Sequence, residues 1–203
     1  MKINEVRYHG IEELMPRLQK VTMLTAPDVR VYENARIELK TMDTDQIAPA
    51  QRYVLTAEVT KVRDLRWELR DMGYNLFNLN GYLEIFLEGE DEPVNVLPPV
   101  VEVSTEANGS VVNILNDGMH RVYLARMERC PIQVIYVHDV PAQYPYYAFP
   151  LVNGWNDVEI KEDLPAGYVK KWHRIRNYKS LYRNFNSAFE NVGGPRGHFT
   201  SGK

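Results

Sequence analysis

Only one cysteine occurs in the 203 residues. Cys130 therefore has no partner for an internal disulfide and cannot supply a multi-cysteine zinc site. Also missing is any run approaching the ~18 apolar residues that span a bilayer. The opening residues, MKINEVRYHGIEEL, carry acids where a secretory leader has an apolar core. The expectation is a cytoplasmic protein that neither crosses nor enters a membrane. No internal repeat is visible. A general excess of positive charge is absent too, since the net charge is −3, which excludes a uniformly basic nucleic-acid binder. One stretch lacks acids altogether: Tyr168 to Phe189 holds Lys170, Lys171, Arg174, Arg176, Lys179 and Arg183, so it carries +6 and leaves −9 for the remainder. A local basic patch is thus compatible with the composition. Hydrophobic content of 44% with 25% charged residues describes a globular chain able to bury a core.

What is present centres on Val111 to Arg126, VVNILNDGMHRVYLAR. The pattern predicts an apolar strand, an Asn116-Asp117-Gly118 turn and then a helix, with Asp117 as N-cap and Gly118 permitting the tight turn. The first amides of such a helix lack acceptors and sit at the positive end of its dipole, which suits an anion. Met119, His120 and Arg121 occupy the first turn, so two potentially cationic side chains join the backbone donors. Phosphate is the ligand this implies. An ordinary strand–turn–helix with solvated His120 and Arg121 has the same local spacing.

Along the rest of the chain, Ile11 to Lys20 predicts a short helix around Pro16. Asp28 to Tyr32 and Arg36 to Lys40 alternate as strands do. Gln46 to Tyr53 is a Pro-containing turn. Leu55, Val59, Val62, Leu65, Leu69 and Met72 recur at helical steps, closed by Gly73. Tyr74 to Leu87 reads as a hairpin about Asn80-Gly81, and Asn108-Gly109 joins Val100–Ser104 to Val111–Leu115 as an antiparallel pair. Ile132 to Val137 is a further strand. Pro141 to Trp155, aromatic and interrupted by prolines, predicts an irregular arm. Tyr168, Trp172, Ile175, Tyr178, Tyr182, Phe185 and Phe189 again fall at helical steps. They predict a basic C-terminal helix with a core-packing aromatic stripe. Gly193 to Lys203 reads as a frayed tail.

Leu97-Pro-Pro-Val-Val-Glu-Val103, then the strand–Gly-Met-His-Arg–helix unit, then the Pro131-led strand ending in Asp139-Val140 resembles the ParB/sulfiredoxin family. Its signature turn is written variously as GERR, GCHR or DGHTR. The resemblance spans roughly Ile37 to Val140, about half of the chain, and its sharp part is Asp117 to Arg121. It implies a helix before the Leu-Pro strand, as Leu55–Met72 supplies, and makes Tyr74–Leu87 an insertion. Three departures matter. Sulfiredoxins use the cysteine of GCHR as nucleophile, and Met119 stands there instead. The family's free-serine kinases place a catalytic Glu near QIAPAQRY, where this chain has Gln51, whose amide cannot act as a general base. Asp117 or Glu58 is left to compensate. Chromosome-partition ParB proteins continue into a helix-turn-helix module that this sequence lacks.

Two further motifs carry little. GHFTSGK at 197–203 resembles a P-loop without the strand before it or the helix after it. His138 and Asp139, adjacent in a strand, point to opposite faces.

The reading is one domain over 1–203 of α/β or α+β class, with a small mixed sheet and helices. Residues 37–140 form the ParB/sulfiredoxin-like core, 141–192 the aromatic arm and basic helix, and 193–203 the tail. The expected function is a phosphate- or nucleotide-binding enzyme, with Asp117 catalytic and Gly118, Met119, His120 and Arg121 binding the phosphate. Mg²⁺ would arrive on the nucleotide, with no protein metal site. The chemistry would be nucleotide hydrolysis or phosphate transfer to a small molecule. The alternative is a non-catalytic nucleic-acid-binding accessory protein using Arg176, Lys179 and Arg183. Oligomeric state is not legible. Because Met119 removes the thiol, Cys130→Ser should leave any turnover unchanged, and assays for sulfinic acid reduction should be negative; thiol-dependent activity would refute this reading of the turn.

Overall fold

A computed structural model describes residues 2–192, so the tail at 193–203 and its GHFTSGK motif lie outside the described residues. The class is α+β. Its central sheet contains β4 (Arg36–Met42), β8 (Val100–Thr105), β9 (Val111–Asp117) and β10 (Ile132–His138) in the order β4-β10-β8-β9. β8 and β9 are antiparallel neighbours, as Asn108-Gly109 implies, and β10 runs parallel to β8 and antiparallel to β4. The helix α3 (Met119–Met127) makes the crossover from β9 to β10. β8 lies between β9 and β10, which run in opposite directions, so α3 has to carry the chain past β8, and this places the strand–turn–helix unit at the middle of the fold.

β10 shows how the sheet is buried. Ile132, Val134 and Tyr136 face one core, whereas Ile135 and Val137 face the other. Both faces are covered, so its sequence is almost continuously apolar rather than alternating. The first core is closed by α2 (Thr56–Asp71) and α3 through Val59, Leu69, Val122, Leu124 and Ala125. The second is closed by α1 (Ile11–Leu18) through Leu14 and Leu18, together with Leu181 and Phe189 from the far end of the chain.

Three smaller sheets surround this centre. β1 (Ile3–Gly10), β6 (Gly81–Leu87) and β7 (Val94–Val96) form an antiparallel sheet in the order β1-β6-β7. β2 (Thr22–Met23), β3 (Ala26–Arg30) and β12 (Arg183–Asn184) form another, in the order β12-β2-β3. β5 (Tyr53–Leu55) pairs in parallel with β11 (Glu159–Lys161).

Two local expectations are corrected. Asn80-Gly81 does not close a hairpin. Asn80 takes a left-handed conformation, φ 55°, and exchanges hydrogen bonds with the Gln133 side chain at 2.7 and 2.8 Å. Gly81 instead begins β6 opposite Gly10, where a Cβ would collide with the His9 carbonyl. Leu76, Phe77 and Leu79 are core residues delivered by a loop.

Nor is Tyr168–Phe189 a helix: it is a chain of bends and 3₁₀ turns that contains the short strand β12. Its aromatic residues are poor helix formers, and Ser and Asn offer the backbone local alternatives. Ser180 donates to the Asn177 carbonyl at 2.7 Å and Ser187 to that of Asn184 at 2.6 Å. Its side chains also go to different places. Leu181 and Phe189 enter the core, Tyr178 and Tyr182 stack around Tyr147, and Trp172 stays 51% exposed.

Arg183 anchors this segment. Its Nε and Nη2 donate to the two Glu102 oxygens at 2.8 Å each, and the remaining N–H groups donate to the Tyr144, Pro145 and Leu181 carbonyls. Glu102 also accepts from the Tyr32 hydroxyl at 2.5 Å and the Asn116 amide at 2.6 Å. Burial alone would lower the Arg183 pKa, but Glu102 outweighs it and holds the guanidinium firmly protonated. Fully engaged, Arg183 is not available as the surface phosphate contact the sequence suggests. Removing one partner leaves a buried charge uncompensated, so Arg183→Met and Glu102→Gln should each cost ~3–5 kcal/mol in urea unfolding. The double variant should cost clearly less than the two losses combined.

Candidate functional site

The central turn forms as its sequence implies, with one change of role. Gly118, at φ 90°, occupies the N-cap position of α3, and its carbonyl receives the amides of Arg121 and Val122 at 3.0 Å. A Cβ there would lie 2.7 Å from Pro99 Cβ and 3.0 Å from Arg121 Nη2, so both the left-handed backbone and the space require glycine. Asp117 is the last residue of β9 and makes no cap; its carboxylate pairs with Arg121 Nη2 at 3.2 Å. The amides of Met119 and His120 remain outside the helix ladder, at its positive end.

Neither first-turn cation is free. The Arg121 side chain is only 13% exposed, and its guanidinium donates to the Leu97 carbonyl as well as to Asp117. Burial lowers its pKa and Asp117 partly restores it. Arg121 thus braces the turn against the Leu-Pro segment instead of offering its fork to a ligand. His120 accepts the Leu55 amide on Nε2 at 3.3 Å, which places its proton on Nδ1. Burial lowers its pKa, with Glu58 and Asp117 opposing the shift, so the ring is neutral at pH 7.

A pocket of about 360 Å³ opens at this turn. Gln51, Glu58, Asp117, Gly118, Met119, His120 and Arg121 line it, so the QIAPAQRY turn, α2 and the central turn do converge. Gln51 donates to the Tyr53 carbonyl at 2.8 Å, and Glu58 is bonded to Lys61 at 2.7 Å. Asp117 has a side chain 45% exposed despite its partner. Tyr147 and Lys171 also line it. Lys171 donates to the Tyr146 hydroxyl at 3.0 Å and to that of Tyr147, and burial draws its pKa down to about 8 against the pull of Asp117.

A larger, open groove of about 850 Å³ lies beside Gln46–Pro49 and Pro150–Asn156. Its Arg126 is paired with Asp45; Glu106, Asn108, Ser110 and Asn113 also line it, but no residue of the central turn does. Arg176 and Lys179 lie exposed on the C-terminal segment, away from the pocket lining. Among the described residues, no three His, Cys, Asp or Glu side chains are grouped to hold a metal ion, and no helix is long and apolar enough to cross a membrane.

The family model for the ParB CE domain matches residues 13–159, well over half of the chain. The chain belongs to the ParB CE domain family. No curated protein and no solved structure matches it. The matched span of the ParB CE domain contains the central turn, Gln51, Glu58 and Tyr147, but it ends before Lys171. Lys171 and Tyr147 are pocket residues that sequence reasoning missed, and Lys171 is the charged one. The acid-free charge run around it was visible, but a regular helix would have left it on a solvated flank.

Two outcomes follow from this geometry. Gly118→Ala should cost ~1–3 kcal/mol in thermal or urea unfolding, since it adds backbone strain and a clash with Pro99. His120 should titrate below its ordinary value by NMR, as the Nδ1–H tautomer. Where the unfolded chain takes up a proton, near pH ~6.5, and folded His120 does not, stability should fall as pH decreases.

Proposed function

We propose that this ParB CE domain protein binds a phosphate-bearing small molecule, a nucleotide being the fitting class, in the pocket at Gly118. One observation carries the reading: Met119 and His120, at the N-terminal turn of α3, line the same pocket as Lys171. Helix N-terminal amides and a cation together suit phosphate oxygens. Asp117 and Glu58 are the carboxylates of the same pocket, suited to a Mg²⁺ brought by the nucleotide or to orienting a water or hydroxyl nucleophile. That arrangement supports nucleotide hydrolysis or phosphate transfer as the reaction class. A ligand that binds only the folded state raises its apparent stability. A thermal-shift panel of nucleoside triphosphates, with and without Mg²⁺, should therefore show a magnesium-dependent rise for the wild type. Asp117→Asn should retain that rise and lose turnover; no shift with any nucleotide or with inorganic phosphate would sink the reading.

A second reading is favoured by the exposed Trp172. The Arg52 guanidinium lies 5.1 Å from its ring centroid, and Lys170, Arg176 and Lys179 are exposed nearby in the chain. Aromatic rings among cations suit single-stranded nucleic acid. This reading requires retention of an oligonucleotide that weakens with salt and with Trp172→Ala.

A further inference from the structure

The largely buried cations of this protein generally have carboxylate partners. Arg183 is bound to Glu102, Arg174 to Glu106 and Arg121 to Asp117. Lys171 departs from the pattern. Among the described residues it forms no salt bridge, and its only polar partners are the hydroxyls of Tyr146 and Tyr147. A buried ammonium held by neutral hydroxyls alone is costly unless something anionic completes it. Two hydroxyls occupy two of its three N–H donors and leave one for the pocket it lines.

The position of Lys171 is fixed from both sides. The Lys170 carbonyl receives the Arg52 amide at 3.1 Å, and the Trp172 carbonyl receives the Phe149 amide at 2.9 Å. Arg174 returns its own amide to Tyr147 at 2.9 Å. The segment thus lies between the QIAPAQRY turn and the arm, with Lys171 directed at the central turn. Tyr146 ties the same place to β9 by donating to the Asn116 carbonyl at 3.3 Å.

We propose that Lys171, delivered by the segment beyond the matched family domain, is the cation that receives the ligand's phosphate, a role left vacant because Arg121 is engaged within the turn. The inference rests on the phosphate-binding reading above and names its missing charge. Its surroundings set a pH dependence. Tyr146 and Tyr147 have raised pKa values and stay neutral, His120 is held neutral by burial, and Arg121 stays charged beside Asp117. Glu58 faces the same pocket and is bonded to Lys61. His173, next in the segment but one, has its pKa lowered by burial and by Lys171 itself. With its own pKa near 8, Lys171 is the group here that changes charge between about pH 7 and pH 9.

The test is calorimetric titration of the full chain with inorganic pyrophosphate, at about pH 7 and about pH 9. Lys171→Met should weaken binding about 10- to 100-fold at the lower pH. Lys171→Arg should keep most of the affinity, and relative to it the wild type should lose about 10-fold or more on going to the higher pH. Comparison with Lys171→Arg cancels the titration of the probe itself. Acetylation of wild-type lysines, read by peptide mass, provides a measurement that needs no variant: pyrophosphate should protect Lys171. Equal affinity in wild type and Lys171→Met, or undiminished labelling of Lys171 under saturating pyrophosphate, would overturn the assignment and leave the phosphate pocket standing. Wild-type protein that binds no pyrophosphate would overturn both.

Discussion

The Glu102–Arg183 ion pair is the constraint on which the arrangement of the chain depends. It joins the central sheet to a segment 81 residues later, and both side chains are almost wholly excluded from water. Such a pair holds only if every surrounding donor and acceptor is placed, because an unpaired group at that depth is costly. Tyr32, Asn116 and three carbonyls meet that condition. The β3–β4 connection, β8, β9, the aromatic arm and β12 therefore have to be in register at once. Position is what this interaction supplies, more than net stability.

The pocket inherits that order through two adjacent residues. Asn116 binds Glu102 with its side chain and receives Tyr146 on its carbonyl, and the next residue, Asp117, enters the pocket. On the opposite wall, His120 accepts the Leu55 amide at the N-cap of α2. The groups that look most reactive in the sequence are thus partly structural. Arg121 and His120 hold the elements that form the pocket, and Lys171 adds to its lining a positive charge from outside the turn.

Much of this is legible in the sequence alone. A small mixed sheet with helices, the β8–β9 pairing, α2 with its Gly73 end and the strand–turn–helix at Gly118 all follow from periodicity and turn chemistry acting within a few residues, which leave the choice between α/β and α+β to the strand order. The errors share a cause. At Asn80-Gly81 a standard hairpin signal was overridden by tertiary bonds to Gln133 and by the close approach of β1. Between Tyr168 and Phe189, steps of three and four arose without a helix, because each aromatic residue answers to a different distant neighbour. The β1 strand was missed since its residues alternate only weakly, having one edge and much of one face in solvent. Likewise, neither the capture of Arg121 by Leu97 nor the placement of Lys171 beside Tyr146 is encoded at short range. Both depend on strand order.

The pairing of β12 with β2 has a bearing on how the protein is made. Residues 183–184 complete a sheet begun at residues 22–23, while Leu181 and Phe189 close the core over Leu14, Leu18 and Tyr32. On a ribosome that adds residues in order at about 5–20 per second, the N-terminal elements must wait until residues 181–189 have been made. During that interval their apolar faces and the open edge of β2 stand uncovered.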